Sequence, residues 1–136
     1  MRLPPAFPDW AELGRAWGVS VTPEQAARLE ELAVWLAERA CRLGLTKYRT
    51  GAEVTERALL PTLALFPLAT SPLSGPLLDL GAGSGALGLT VAVLCPGLPV
   101  VLADRRQRSA AFMNLTRARF HLDNVAVRQV SAQNLG

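Results

Sequence analysis

Lysine is nearly missing from this chain: Lys47 is the only one among 14 basic residues, and the rest are arginine. Positive charge is therefore presented as planar guanidinium forks, which suit phosphates and guanine edges. A genome biased toward Arg, Ala, Leu, Gly and Pro codons gives the same composition, so the bias alone does not select a nucleic-acid partner. The net charge of +3 is too small to argue for one either. Histidine is limited to His121 and cysteine to Cys41 and Cys95, far apart in sequence, so no metal-ligand spacing is present. The two cysteines are expected as small hydrophobic residues in helices, not as a disulfide. Long apolar runs are also missing. The most apolar stretch, Ala58–Leu68, falls short of the ~20 residues a bilayer demands and is cut by Pro61 and Pro67. Met1–Pro8 cannot supply the apolar region of a secretion signal. A soluble cytoplasmic protein is the expectation.

What is present starts helical. Asp9–Trp17 reads as a short helix ended at Gly18. Thr22, Pro23 and Gln25 form a capping box with proline at the first helical position. Leu29, Leu32, Leu36, Ala40 and Leu43 then recur on one helical face, and Gly44 suits a left-handed C-terminal cap. Thr50 and Glu53 repeat the capping pattern for a helix that Pro61 bends or ends. The segment Thr70–Pro76 reads as a linker.

After it the pattern changes to α/β. Short apolar strands are expected at Leu77–Leu80, Val100–Ala103 and Val125–Val130. Helices are expected at Ala86–Cys95 and Arg105–Leu122, the latter with Ala110, Ala111, Met113, Leu115 and Phe120 as apolar positions. Strand–helix–strand–helix–strand is the start of a parallel sheet. The division expected is a helical cap, 1–70, and the N-terminal half of a Rossmann-like domain, 71–136. A three-stranded sheet would leave an open edge and bare apolar faces, so a fragment, a truncated product or a unit needing a partner is expected.

The chemistry centres on Asp79-Leu80-Gly81-Ala82-Gly83-Ser84-Gly85, where a strand turns into a helix. Glycines there let a ligand lie against the backbone, and the helix start offers free N–H groups. Asp104 closes the next strand, about 20 residues on, where a carboxylate can accept both hydroxyls of an adenosine ribose. Gly83–Gly88 also satisfies G-x-G-x-x-G, so a dinucleotide and a purely structural turn remain alternatives. Asp79 favours S-adenosylmethionine: a carboxylate beside the loop would repel a pyrophosphate but suits a sulfonium and an ammonium. The expected cofactor residues are Asp79, Gly81, Ala82, Gly83, Gly85, Asp104 and Arg105, with Ala132 and Gln133 beside the adenine. The arginines 105, 106, 108, 117, 119 and 128 read either as a phosphate-binding patch or as a solvated face. Trp10, Trp17 and Trp35 read as a stacking platform or as helix packing.

Together these segments resemble the bacterial small-subunit ribosomal RNA guanine-N7 methyltransferase family RsmG (GidB). The likeness runs over about Pro23 to Leu135. It rests on Leu45-Thr46 with Arg49, Glu53 and Arg57, on the loop Leu78–Gly88, on Leu102-Ala103-Asp104 with Arg108 and Phe112, and on His121–Val125. Ala58 and Pro61 stand where the family has His and Asp, and Ser109 and Ser131 replace basic residues. The resemblance implies a Rossmann-like fold, S-adenosylmethionine as cofactor and guanine N7 of small-subunit ribosomal RNA as substrate. It implies Arg49, Arg57 and Arg108 as RNA contacts and a monomer when complete. Guanine N7 already carries a lone pair, so methyl transfer needs no base, and no catalytic residue is assigned. A non-catalytic or degenerate module and an NAD(P)-binding enzyme are the competing functions.

Overall fold

The computed structural model describes residues 7–66 and 75–130. Helix α1 spans Trp10–Ala16, with Asp9 accepting the Glu12 N–H at its start and Gly18 beyond its end. Helix α2 spans Pro23–Trp35 and opens with both halves of the capping box: Thr22 Oγ1 accepts from Gln25 N–H, and Gln25 Oε1 accepts from Thr22 N–H. The helix continues through a π-helical turn, Leu36–Ala40. Its buried stripe is Leu29, Leu32, Leu36 and Ala40, whereas Leu43, expected on that face, is exposed because the helix has unwound by then. Gly44 adopts φ +70° and closes the end, with Gly44 N–H on Cys41 O and Leu45 N–H on Ala40 O.

Helix α3, Gly51–Val54, is capped by Thr50, which accepts from Glu53 N–H. The returning arm of this box goes to Arg49 N–H and the Thr50 hydroxyl, not to the Thr50 N–H. A π-helical turn, Thr55–Leu59, leads into α4, Leu60–Leu63. Pro61 therefore does not end the helical run. The widened turn comes just before it, and the ring sits at the first positions of the next α-helical piece, where a missing N–H is least costly.

Strands β1 (Leu77–Leu80), β2 (Val100–Asp104) and β3 (Val125–Gln129) form a parallel sheet in the order β1-β2-β3. Leu77 pairs with Val100, and Val100 with Val125. Helix α5, Ala86–Leu94, connects the first pair and α6, Gln107–Arg119, the second. Two right-handed crossovers stepping the same way put both helices on one face. Leu78 and Leu80 lie on the other face and are about half exposed, at 48% and 49%. Among the described residues nothing covers them.

The N-terminal helices pack onto the same side as α5 and α6, and one apolar core runs from Trp10 to Val125. Its fully buried members include Leu29, Leu32, Leu36, Leu59, Leu89, Leu102 and Met113, each worth about 1.5–3 kcal/mol of burial. Two side-chain amides tie the layers together at the C-terminal end of α5. Gln25 Nε2 donates to Val93 O and Leu94 O from α2, and Asn124 Nδ2 donates to Ala92 O, Cys95 O and Leu98 O. Trp35 lies flat on Phe112 at 6.3 Å, meets Phe120 edge-on at 6.2 Å, and donates Nε1–H to Thr116 Oγ1. It is packing, not a free platform, and Trp10 is buried.

Helix α6 departs from expectation. Its buried stripe is Ser109, Ala110, Phe112, Met113 and Thr116, so hydroxyl residues occupy core positions and Leu115 is 53% exposed. The helix begins at Gln107, two residues later than expected, because Arg105 and Arg106 form a bend after Asp104. His121, expected within its last turn, lies just past it with φ 52°. Cys41 and Cys95 are free, half-buried thiols.

Candidate cofactor site

The loop between β1 and α5 is shaped by glycine at three alternate positions. Gly81, Gly83 and Gly85 have φ of 65°, 62° and 83°, in the left-handed region that a side chain makes costly. Ala82, between them, donates its N–H to Ala103 O of β2, which pins the loop to the sheet. The N–H groups of Ala86 and Leu87 open α5 and have no intrahelical acceptor.

Two carboxylates brace this loop. Asp104, at the end of β2, is 4% exposed. Its Oδ2 accepts from Gly83 N–H at 2.9 Å, and its Oδ1 from the Arg106 N–H at 2.9 Å and Nε–H at 3.2 Å. Burial by itself would push this carboxyl up. The hydrogen bonds from Arg106 and Gly83 and the Arg106 charge together outweigh it and hold Asp104 below its ordinary value. Asp79 sits inside β1 and turns toward α5, where Oδ2 accepts from Gly88 N–H at 3.2 Å. Here burial dominates over that single bond and raises the carboxyl above its ordinary value.

Gly88 is required by close approach. A Cβ there would run into the Leu102 side chain and stand 3.2 Å from Asp79 Oδ2. The last glycine of G-x-G-x-x-G thus lets α5 lie directly on the sheet and lets Asp79 reach its backbone.

Asp79, Gly81, Ala82, Gly83, Gly85 and Asp104 come together at this loop: Asp104 accepts from Gly83, Gly85 N–H donates to Ala82 O, Ala82 N–H to Ala103 O, and Asp79 accepts from Gly88. Arg105 is exposed on the bend beside it, and it is the next residue, Arg106, that pairs with Asp104. Sequence reading gave Arg106 no role toward Asp104, because which of two adjacent arginines turns back depends on the bend itself. Ala132 and Gln133 lie outside the described residues.

The arginines grouped in sequence do not form one patch. Arg105, Arg106 and Arg108 stand at the loop end of the sheet, whereas Arg117 and Arg119 lie at the far end of α6, roughly 15 Å away at 1.5 Å per residue. Arg117 Nε donates to Val125 O, and the Arg119 guanidinium lies 5.2 Å from the Phe120 ring centre. Arg108 is exposed. Arg49, ahead of the Thr50 cap, and Arg57, in the second π-helical turn, are exposed too, and neither bonds to the loop or to Asp104.

A cavity of about 340 Å³ opens on the flank of α2, lined by Phe7, Val34, Trp35 and Phe120 with Glu30, Glu31, Glu38 and Arg119. None of these belongs to the glycine loop. The described residues contain no group of three metal-ligating side chains and no helix long and apolar enough to cross a membrane.

With this geometry in place, comparison with known proteins decides the family. The family model described as "rRNA small subunit methyltransferase G", GidB, matches residues 25–134. The chain belongs to the GidB family. Among its relatives, the "Ribosomal RNA small subunit methyltransferase G" of Sorangium cellulosum is 34% identical over 128 residues, covering 93% of this chain and 54% of the relative. The protein of the same name from Myxococcus xanthus is 35% identical over 120 residues, 88% of this chain and 54% of the relative. That of Stenotrophomonas maltophilia is 36% identical over 91 residues, 67% and 42% respectively. The chain spans about half the length of the curated relatives it matches. In this GidB chain the Rossmann-like fold expected from the glycine loop is the one observed.

Proposed function

We propose that this chain is the cofactor-binding half of a methyltransferase that moves a methyl group from S-adenosylmethionine to small-subunit ribosomal RNA, at guanine N7. The observation that carries the cofactor is the linkage of Asp104 to Gly83, which joins a buried carboxylate to a loop of three left-handed glycines. The residues fit that group. A Cβ at Gly81 would meet nothing within 4 Å, so the loop offers open space against bare backbone. The bonds from Arg106 and Gly83 hold the Asp104 carboxyl below its ordinary value, which favours the charged form that accepts ribose hydroxyls best. Asp79 places a second carboxylate beside the loop, favourable to the two positive charges of the ligand and unfavourable to a pyrophosphate.

When bound, S-adenosylmethionine supplies a methyl group activated by its sulfonium. The chain's own contribution is binding and orientation: the Gly81–Gly85 backbone under the methionine portion, Asp104 on the ribose, and Ala132 and Gln133 at the adenine. No proton need be removed from guanine N7, so holding nucleophile and methyl together is the catalytic task. Arg108, exposed at the loop end of the sheet, is the first RNA contact, with Arg49 and Arg57 next. The relatives' names support a small-subunit ribosomal RNA substrate, and the resemblance in the Arg49–Arg57 and Asp104–Phe112 segments supports the base and its contacts.

The test is methyl transfer by the complete protein to deproteinised small-subunit RNA, with the modified base mapped. N7-methylguanine is expected. A methyl group on another base would remove the position while keeping the substrate. No transfer by a folded protein that binds the cofactor would remove the RNA.

A further inference from the structure

A carboxylate offers about four lone-pair positions on its two oxygens. On Asp104 three are taken: two on Oδ1, by the backbone N–H and Nε–H of Arg106, and one on Oδ2, by Gly83 N–H. Two of the three donors are backbone groups fixed by the fold. The third is a side chain that is 44% exposed on a long stem. Its guanidinium also reaches across the loop, with Nη2 3.6 Å from where a Cβ on Gly83 would stand. A ribose diol gripped by this carboxylate needs one acceptor position on each oxygen. Oδ2 has one to spare, and Oδ1 has one only if the Arg106 Nε–H leaves.

We infer that Arg106 is a placeholder in the nucleoside site: its guanidinium occupies the Asp104 position meant for one ribose hydroxyl and is displaced into solvent when an adenosine ligand binds. The inference rests on the cofactor reading above. Without ligand, the guanidinium keeps a buried carboxylate partnered, which matters because an unsatisfied buried charge is costly.

Nuclear magnetic resonance of the ¹⁵N-labelled chain, titrated with S-adenosylhomocysteine, reads the displacement directly. One arginine Nε–H signal, missing in Arg106→Ala, is expected to be protected from solvent exchange in the free chain and to lose protection at saturation. Calorimetry should show Arg106→Ala binding S-adenosylhomocysteine about 1.5- to 5-fold more tightly than the parent, the range set by a part-exposed ion pair. Arg106→Lys, which keeps the charge without Nε, should share the gain, and the free Arg106→Ala chain should melt slightly below the parent, because the ion pair given up on binding is the one lost from the free state. Retained Nε–H protection at saturation, or weaker binding by both variants, overturns the placeholder while leaving the cofactor in place. A folded parent chain that binds no S-adenosylhomocysteine overturns the cofactor reading and the placeholder with it.

Discussion

Asp79 of β1 accepts a hydrogen bond from the backbone of Gly88 in α5, so the acidic residue before the loop and the last glycine of the motif form one strand-to-helix brace. The brace depends on there being no side chain at residue 88. Gly88→Ala would push a methyl group into Leu102 and against Val100 and the Asp79 carboxylate. Overpacking of this kind costs about 1–3 kcal/mol. A urea titration should show a lower midpoint at unchanged slope, and an unchanged midpoint would mean that α5 is not seated as described.

Asn124 gathers three carbonyls, Ala92 O, Cys95 O and Leu98 O, at 3.0–3.2 Å. They close the end of α5 and the turn into β2. Asn124→Ala leaves them without this donor and should cost about 1–3 kcal/mol. Asn124→Asp should be at least as damaging at neutral pH, because a carboxylate facing carbonyls cannot donate. Denaturation curves of the two variants check this order.

These features differ in how far they could be read ahead. Capping boxes are local, and Thr22 with Gln25 was legible in the sequence down to its two hydrogen bonds. The strands were legible because apolar runs bounded by Gly, Pro and Asp leave few alternatives. Helix α6 was less so: Ser109 and Thr116 fill its buried stripe while Leu115 faces out, and apolar periodicity cannot find a stripe built partly from hydroxyls. The continuation through Pro61 was hidden because it depends on the π-helical turn before it. Within the site, spacing brought out the glycines and both aspartates. The Arg106 contact was not legible, since it is a rotamer choice made after the backbone bends.

The two site carboxylates should affect stability in opposite directions with pH. Asp79 is raised above its unfolded value by burial, so the stability tied to its protonated form is fully present below the unfolded pKa of about 3.9 and is lost as pH rises through the raised value. Asp79→Asn should therefore melt at or above the parent's temperature at pH 7, with the difference shrinking toward pH 3. Asp104 has a lowered pKa, so its contribution is present above about 3.9 and is lost as pH falls through the lowered value. Asp104→Asn should melt below the parent at pH 7 and approach it in acid. Thermal melts across this range check both signs.

RNA binding by the complete protein should separate the arginines by position. Arg108→Ala should lessen the salt dependence of binding by about one unit of slope, as loss of one phosphate contact does. Arg117→Ala should leave the slope unchanged, because that guanidinium is engaged with Val125 O at the far end of α6. Equal changes in both slopes would point to a diffuse basic surface.

Isothermal titration of the purified chain with S-adenosylhomocysteine and, separately, with NAD tests the cofactor assignment most directly. Saturable binding of S-adenosylhomocysteine is predicted, with none of NAD. Asp104→Ala should weaken it by an order of magnitude or more, since each hydrogen bond lost from a charged group costs about 1.5–3 kcal/mol. Binding of NAD without binding of S-adenosylhomocysteine would contradict the assignment.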